Sequence, residues 1–446
     1  MLKHLKNRED GLSRSNFMSR FGQVMATYAD RLAAFHPNAR LYLVSAVISG
    51  ASMGVFRFLF NFYVLSLGYD QELLGNLVTA TSFTALLMAL PMGYVADFLG
   101  RKASLIGGAS LSCVSVLMMV LFPSTPVFVA MNVVLGFAQS LAGVTMGPFL
   151  MENSGEKERT YLFSFASGFQ TGSQFVGNWI GGYLPTWLGI AQGVSPTSTS
   201  AYGASLMVIA AGAGMAAVPM LFMRTPRLNK EQRSFFAPIA FFRQKPALLG
   251  KLILPMLVTS IGAGLIMPFM NIFFRQVHHQ PDSVIGTLFA WGSLAMGLGL
   301  LVAPPLADRW GKIKFVVITQ GLSIPFLVML GFSPWFSLAA VAYYFRLALM
   351  NMNGPVYQTY VLEKVGPSAR ATVASLVSMA NNFGWAFSPT LSGWIQVNYG
   401  FGPTYLGTII LYTVSIFLYW SFFLRRSPEL KPEQNVTFLK VEHPIK

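Results

Sequence analysis

The sequence predicts an all-α membrane protein in which twelve transmembrane helices form two pseudo-symmetric six-helix bundles. Only 11% of the 446 residues are charged and 54% are hydrophobic, whereas soluble domains carry about 25% charged residues. Twelve apolar stretches are each long enough to cross a hydrocarbon core about 30 Å thick as a helix of about 20 residues. Polar residues also recur at one constant spacing in the two halves of the chain.

The predicted spans and regions follow from the hydropathy pattern along the chain. The spans are 41–66, 73–96, 103–122, 126–150, 161–189, 201–222, 248–274, 284–307, 313–332, 335–361, 371–397 and 403–424. The predicted regions are a cytoplasmic N-terminal segment at 1–40, a six-helix bundle at 41–222, a cytoplasmic linker at 223–247, a second six-helix bundle at 248–424 and a cytoplasmic tail at 425–446.

The distribution of positive charge predicts the orientation. Of the 31 Lys and Arg residues, 28 lie in the terminal segments, in the connections after even-numbered spans or in the first four residues of the span that follows; Arg57, Arg275 and Arg346 are the others. Because cytoplasmic loops carry an excess of positive residues, both termini are predicted to be cytoplasmic. The net charge of +15 then reflects membrane topology, and no nucleic-acid partner is predicted.

The N-terminal segment carries no secretory signal pattern, because about 40 polar and basic residues precede a span too long for a signal-peptide core. Apolar residues at helical spacing beside Arg20 and Arg31 predict an amphipathic helix, either on the inner leaflet or packed on the protein's own cytoplasmic face. These apolar residues are Phe21, Val24, Met25, Tyr28, Leu32 and Phe35. The single cysteine, Cys113, excludes an intrachain disulfide.

A spacing of 211 residues relates the two halves. It pairs Asp97 with Asp308, Gly100 with Gly311, Arg101 with Lys312, Glu152 with Glu363, Arg159 with Arg370, Gln170 with Asn381 and Gly182 with Gly393. One constant shift across several spans indicates a tandem duplication. Parallel repeats of this kind are a recognised plan of secondary transporters, with the substrate site near the midplane between the halves.

These repeated motifs resemble those of the major facilitator superfamily. The stretch Gly93, Asp97, Gly100, Arg101, Lys102 is similar to the family's signature between spans 2 and 3, and Asp308, Gly311, Lys312 is similar to its degenerate copy, with Pro304 in place of the first glycine. Glu152 with Arg159, and Glu363 with Arg370, resemble conserved charges of loops 4-5 and 10-11. The resemblance implies alternating access by rocking of the two halves. We also expect a non-enzymatic protein with a small-molecule substrate, no cofactor and a monomeric state.

The charged motif at the cytoplasmic edge suggests conformational gating. A carboxylate there is costly unless it is paired, so we expect Asp97 to accept hydrogen bonds from backbone N–H groups at the start of span 3. A cluster of Asp97, Arg101, Glu152 and Arg159 is predicted to link the halves when the cavity opens outward and to break when it opens inward. The alternative is a static turn combined with a topology signal.

Span 5 contains the stretch GFQTGSQFVGNWIGG, whose small faces permit close helix approach. The glycines are Gly168, Gly172, Gly177, Gly181 and Gly182. The stretch is similar to the span 5 motif of drug/proton antiporters of the superfamily, except that Asn178 replaces the expected proline. Pro389 and Gly393 occupy the matching part of span 11, so a bend is expected there instead.

Deep charges indicate the nature of the substrate. None of the 16 acids falls deep in a predicted span, and span 4 lacks the arginine of the family's proton-coupling motif. These two features argue against proton coupling; the alternative is that a carboxylate at the membrane edge serves in it. Arg57 and Arg346 do lie deep in spans 1 and 10, which line the cavity in the superfamily. An anionic or carboxylate-bearing solute is their simplest partner. The structural alternative is that backbone carbonyls and Asn side chains hold the two guanidinium groups.

Further polar residues on the predicted spans are candidate substrate contacts beside Arg57 and Arg346, although buried amides also serve as contacts between helices. They are Asn61, Gln139, Gln170, Gln174, Asn178, Asn271, Asn353, Tyr357, Asn381 and Trp385.

The function predicted from these residues is secondary active or facilitative transport of a small, preferably anionic organic solute. The alternative within the superfamily is an exporter of amphiphilic drugs or lipids, which the many Phe and Met residues favour. A receptor or membrane enzyme is a remote alternative, because His278, His279 and Asp282 suggest a solvated outer loop and no metal site. Compact loops and a short linker favour a multi-pass protein of a plasma membrane, specifically a bacterial inner membrane.

Overall fold

The structure is a computed structural model, and it describes residues 35–224, 246–364 and 370–425. The predicted amphipathic helix before residue 35 and most of the linker and tail lie outside the described residues. Within the described ranges, the chain is almost entirely helical and contains no strand.

The first half contains six helices. They are α1 (Pro37–Ser66), α2 (Gln71–Leu99), α3 (Arg101–Leu121), α4 (Thr125–Glu152), α5 (Glu156–Gln192) and α6, which consists of Thr199–Met215 and Ala217–Leu221.

The second half repeats this pattern with six more helices. They are α7 (Pro246–Ile266, a 3₁₀ turn at Met267–Phe269, then Met270–Gln276), α8 (Asp282–Trp310), α9 (Lys312–Phe332), α10 (Phe336–Asn351, then Asn353–Glu363), α11 (Arg370–Tyr399) and α12 (Phe401–Tyr419, with a π-helical last turn at Trp420–Leu424).

Helix starts agree with local capping chemistry. Pro37 occupies the first position of α1, where its missing N–H costs nothing. The Asp70 carboxylate accepts from the Leu73 N–H and caps α2, and Ser198 caps α6 in the same way. These caps satisfy backbone donors that have no partner within a helix.

Nine helices of the described chain are long and apolar enough to cross a membrane, namely α1–α4, α6–α9 and α12. Of the other three, α5 and α11 carry more polar residues, and α10 is divided into segments of 16 and 11 residues. However, α5 packs between α1 and α8, α10 packs against α8 and α9, and α11 packs between α2 and α7. Each of the twelve predicted spans therefore corresponds to a helix of one bundle.

The tandem repeat is visible in the backbone. Gly100 and Gly311 precede α3 and α9 with φ of +86° and +84°, and each N–H donates to a carbonyl four residues earlier, of Ala96 and Ala307. Since this φ with an extended ψ is essentially restricted to glycine, the repeated glycine in the sequence marks the same turn twice.

We call the end of the bundle where Arg101 and Lys312 begin helices the basic end, and the opposite end the far end. The buried core differs between the two. At the far end one aromatic cluster spans both halves and includes Phe58, Phe62, Phe274 and Phe289. Towards the basic end each half has a separate cluster. The halves are therefore packed together at the far end.

The halves meet where α2 packs against α11, α5 against α8 and α1 against α7, and the 3₁₀ turn of α7 also contacts α2. At the first two crossings, glycines let the backbones touch. A Cβ on Gly75 would lie 2.2 Å from the Pro389 carbonyl oxygen, and one on Gly286 would lie 2.6 Å from the Gly182 Cα. Gly75 and Gly286 are 211 residues apart, as are Gly182 and Gly393. The two crossings therefore have equivalent glycines, as expected for a tandem duplication.

Candidate functional site

A polar seal closes the space between the halves at the level where α1 meets α7. The Asn61 amide donates to the Pro268 carbonyl (2.8 Å) and to Asn271 Oδ1 (2.9 Å), and the Asn271 amide donates to the Phe58 carbonyl (2.8 Å). Pro268 lies in the 3₁₀ turn that interrupts α7. In this conformation Asn61 of α1 is therefore bonded to the backbone of α7, and Asn271 of α7 is bonded to the backbone of α1.

Arg57 lies one turn before Asn61 on α1, about 6 Å closer to the basic end at 1.5 Å per residue. Its side chain is accessible to solvent although protein atoms surround it, as expected for a side chain on a cavity wall. No hydrogen bond or ion pair joins Arg57 to any other described residue. Arg57 therefore presents an unpaired cation just below the seal.

Arg346 lies on α10 and is fully buried, with 0% of its surface exposed. Its Nη2 donates to the Tyr412 hydroxyl (3.2 Å), its Nη1 contacts the Met267 sulfur (3.8 Å), and its Nε has no partner. Its polar partners are thus a tyrosine and a thioether, and not the backbone carbonyls and asparagines of the structural alternative. Met267 begins the same 3₁₀ turn that contains Pro268, so both deep arginines lie near the interruption of α7.

The acids whose side chains are described lie at helix ends or in the first or last turns, as the sequence predicts. They are Asp70, Glu72, Asp97, Glu152, Asp282, Asp308 and Glu363. None forms an ion pair with Arg57 or Arg346.

The other candidate contacts fall into two groups. Several are exposed or half-buried without a side-chain hydrogen bond to another described residue: Gln139, Gln170, Gln174, Asn381 and Trp385. Asn178 makes a 3.4 Å contact across the halves with the Ser293 hydroxyl. By contrast, Asn353 accepts from Thr319, and the Tyr357 hydroxyl donates to the Leu252 carbonyl. Asn353 and Tyr357 are therefore buried within the second half and away from the space between the halves.

The charged motif at the basic end forms ion pairs within each half. Arg101 binds Asp97 (2.5 Å) and Glu152 (3.1 Å) in the first half, and Lys312 binds Glu363 in the second. The pairs Arg101–Glu152 and Lys312–Glu363 are related by the 211-residue spacing. In this conformation the charges fasten α3 to α4 and α9 to α10, and they do not link the two halves.

One detail of the gating prediction is wrong. The Asp97 carboxylate binds Arg101, and no side chain caps the start of α3. The turn at Gly100 carries the chain into α3 without an aspartate cap, so the backbone donors expected for Asp97 are not its partners. Lys102 instead donates to the Leu221 and Met223 carbonyls and ties α3 to the end of α6.

The remaining gating candidates make few described contacts. Asp308 is exposed and has no ion-pair partner among the described residues, and a Cβ on Gly93 would meet no atom within 4 Å. The side chains of Arg159 and Arg370 lie outside the described part.

Of the two outer-loop histidines, His279 is exposed as predicted, whereas His278 is placed differently. His278 is buried, with 8% of its surface exposed, and packs against Phe273, Phe274 and Phe336. Burial, and the nearby His279, lower the pKa of His278 below its ordinary value. Among the described residues no group of three potential ligands could hold a metal ion.

Sequence reasoning missed a cluster at the far end. Asp282 was expected at a solvated surface, yet its side chain is 9% exposed and pairs with Arg275 (2.8 Å). The Tyr202 hydroxyl donates to Asp282 (2.6 Å), and the Arg275 guanidinium lies 4.0 Å from the Phe62 ring centre. The signal in the sequence was Arg275, one of three cations outside the basic segments.

A bundle of membrane-crossing helices in two similar halves, with polar side chains in contact between the halves, is an arrangement found in secondary transporters. A family model described as Major Facilitator Superfamily matches residues 42–281 and 252–442. The chain belongs to this superfamily. It is a transporter and not an enzyme.

Similar proteins agree with this assignment. The chain is 21% identical over 408 residues to "Multidrug resistance protein MdtG" of Dickeya zeae (strain Ech586), covering 87% of this chain and 95% of that protein. A mutant of the nucleoside transporter NupG superposes with a TM-score of 0.73 at 16% identity, covering 86% of this chain and all of the other. A bacterial homologue of the human lysosomal transporter Spinster, described as inward-facing and unoccupied, gives a TM-score of 0.71 at 15% identity and covers 90% and 99%.

Proposed function

We propose that this transporter carries a small anionic organic solute by alternating access and that Arg57 recognises the solute's negative charge. The observation that carries the proposal is the state of Arg57: a solvent-accessible cation, without a described partner, one turn below the seal formed by Asn61 and Asn271. An unpaired guanidinium inside a membrane protein is costly, and such residues commonly mark substrate pathways.

A carboxylate fits this position better than a neutral group. The guanidinium offers a planar set of donors that matches two carboxylate oxygens, and hydrogen bonds between charged groups contribute about 1.5–3 kcal/mol each. No acid among the described side chains competes for Arg57. Arg346 is buried and bound to Tyr412, so it is not accessible to the solute in this conformation.

The conformation supports an inward-open assignment. Between described residues, the hydrogen bonds and ring contacts that join the halves involve the far portions of the helices, such as Thr79 with Thr390 (2.9 Å) and Phe83 with Phe387 (5.4 Å). Because positive residues concentrate at the basic end, that end and both termini are assigned to the cytoplasm. In this state the solute reaches or leaves the site at Arg57 from the cytoplasmic side.

Transport requires the opposite state, in which the far end opens and the basic end closes. The contact between Asn61 and Asn271 must break for this to happen, and Arg57 then becomes accessible from the far end. The charged residues Asp97, Arg101, Lys312 and Glu363, now paired within their own halves, are the candidates for contacts across the closed basic end.

Uptake of a panel of radiolabelled carboxylates into proteoliposomes tests this function. We expect at least one carboxylate to be transported and Arg57→Ala to abolish that transport, because the solute loses its charge partner. Arg309→Ala is the matched control, since Arg309 is exposed at the basic end without a described ion pair. Transport that survives Arg57→Ala unchanged would show that the site is elsewhere.

The second candidate function is export of amphiphilic drugs. The observation that favours it is the similarity to MdtG, which extends over 95% of that protein. Deleting the gene and measuring growth in a panel of cationic and neutral amphiphiles separates the two candidates. Increased drug sensitivity together with no carboxylate transport would favour the exporter.

A further inference from the structure

The far end contains a charged contact between the halves that the repeated motifs do not account for. It consists of Arg275 and Asp282 from the second half, and of Tyr202 and Phe62 from the first half. We call these four residues the far-end latch. Arg275 ends α7, Asp282 begins α8, Tyr202 lies in the first turn of α6, and Phe62 lies near the end of α1.

We propose that the far-end latch stabilises this conformation and that its release is a required step of opening at the far end. The inference rests on the alternating access of the proposed function but not on the charge of the solute.

The contacts of these four residues divide into those within one half and those between the halves. Arg275 and Asp282 pair at 2.8 Å within the second half, so this ion pair can persist when the halves move. The contacts with the Tyr202 hydroxyl, which donates to Asp282 Oδ2 (2.6 Å) and accepts from Arg275 Nη2, cross the boundary. So does the contact of the Arg275 guanidinium with the Phe62 ring. Separation of the halves must break these crossing contacts.

Burial makes these contacts consequential. The side chains of Asp282 and Arg275 are 9% and 24% exposed, and Tyr202 is fully buried. A hydrogen bond or ion pair that is shielded from water contributes more free energy than an exposed one. Removal of one partner from a shielded contact also costs more free energy. An exposed ion pair would have little influence on the equilibrium between a closed and an open far end. The Arg275–Asp282 pair is shielded and binds Tyr202 of the other half, so it does influence this equilibrium.

The latch is also absent from the duplicated position. At the 211-residue spacing, Asp282 corresponds to Gln71 and Arg275 to Val64. At the duplicated position, the Gln71 amide of α2 donates to Gln276 of α7 (2.9 Å) in an exposed, neutral contact. The glycines of the repeat are matched in both halves, but the ionic contact occurs only at the position of Asp282. The latch is therefore an addition to the repeated architecture and not a consequence of it.

The test measures the distance between the halves at the far end of the full-length protein in lipid nanodiscs. Spin labels are attached at Ser195→Cys, in the exposed loop between α5 and α6, and at Gly402→Cys, where a Cβ meets no neighbour. The background is Cys113→Ser, because Cys113 is the only native cysteine. Double electron–electron resonance then reports the distance distribution without any substrate.

We expect Tyr202→Phe to raise the ratio of long to short distances about tenfold, the factor that corresponds to one typical charge-assisted hydrogen bond. Asp282→Asn is expected to act in the same direction. The matched control is Tyr63→Phe, because the Tyr63 hydroxyl donates to the Val120 carbonyl within the first half (3.3 Å). That variant should leave the distribution as in the native protein.

An unchanged distribution in Tyr202→Phe would overturn the proposal, as would an equal shift in Tyr63→Phe. Tyr202→Phe retains the ring and its packing, so the result does not depend on whether Asp282→Asn folds. Failure of the anion proposal would appear as unaltered transport in Arg57→Ala, which this substrate-free measurement does not involve.

Discussion

At the scale of single residues, Gly100 and Gly311 show how a sequence motif encodes one backbone conformation. Their positive φ and extended ψ values are unfavourable for any residue with a Cβ. We expect Gly100→Ala to lower the free energy of unfolding by about 1–3 kcal/mol, measured by thermal unfolding in detergent. Gly143→Ala is the control, since a Cβ there meets no atom within 4 Å and α4 is helical; its stability should not fall.

The buried Arg346 leads to a second prediction at this scale. Its guanidinium has one hydroxyl partner, Tyr412, and an Nε without a partner. Tyr412→Phe should lower the free energy of unfolding by about 1–3 kcal/mol, because it leaves a buried donor unsatisfied. Tyr399→Phe is the control, since Tyr399 is 66% exposed.

Arg346→Met, by contrast, removes the buried charge itself. Its thermal stability should equal or exceed that of the native protein, because a buried ion without a counter-charge is costly. A large loss of stability in Arg346→Met together with none in Tyr412→Phe would contradict this description of the Arg346 environment.

At the scale of helices, glycines divide into those that join the two halves and those that join helices within a half. Gly286 contacts Gly182 across the halves, whereas a Cβ on Gly177 would lie 2.2 Å from the Ala51 carbonyl oxygen of α1 in the same half. Gly286→Ala should therefore separate the halves at the far end with little loss of fold stability. Gly177→Ala should instead lower the free energy of unfolding by about 1–3 kcal/mol, because it overpacks a helix contact.

Spin-label distances between Ser195→Cys and Gly402→Cys, together with thermal unfolding of the same samples, distinguish the two effects. Equal loss of stability in both variants, with no change of distance in Gly286→Ala, would show that the crossings between halves are ordinary structural contacts.

Most helices could be predicted from the sequence because apolar length and turn residues determine them. The predicted span 73–96 lies within α2 (Gln71–Leu99), and the motif at Gly100 correctly separates α2 from α3. The interruption of α7 at Met267–Phe269 was not predicted, although Pro268 within the span is a helix-breaking residue. The site depends on that interruption.

The candidate site was predictable only in part, because the environment of each residue depends on how the helices pack together. Arg57 and Arg346 were identifiable because a cation within an apolar span is conspicuous. Their different environments, one exposed and one buried, depend on the rotation of α1 and α10 in the bundle. Asp282 was misjudged as solvated because its burial comes from Tyr202, 80 residues away in the chain.

At the scale of the whole molecule, the orientation in the membrane is a prediction of the charge distribution. A membrane-impermeant maleimide applied to intact cells should label Ser195→Cys at the far end. It should label Gly155→Cys and Lys314→Cys, both exposed at the basic end, only after the cells are permeabilised. Labelling of Gly155→Cys and Lys314→Cys from opposite sides would contradict the parallel arrangement of the two halves.

In the proposed mechanism the two ends of the molecule open in turn around Arg57, and the negative charge of the solute is its central claim. The most direct measurement compares the binding of a transported carboxylate and of its neutral amide analogue, by thermal stabilisation of the purified protein and of Arg57→Gln. We predict that the native protein binds the carboxylate at least about tenfold more tightly than the amide and that Arg57→Gln shows no such preference. Equal preference for the carboxylate in both proteins would contradict the account.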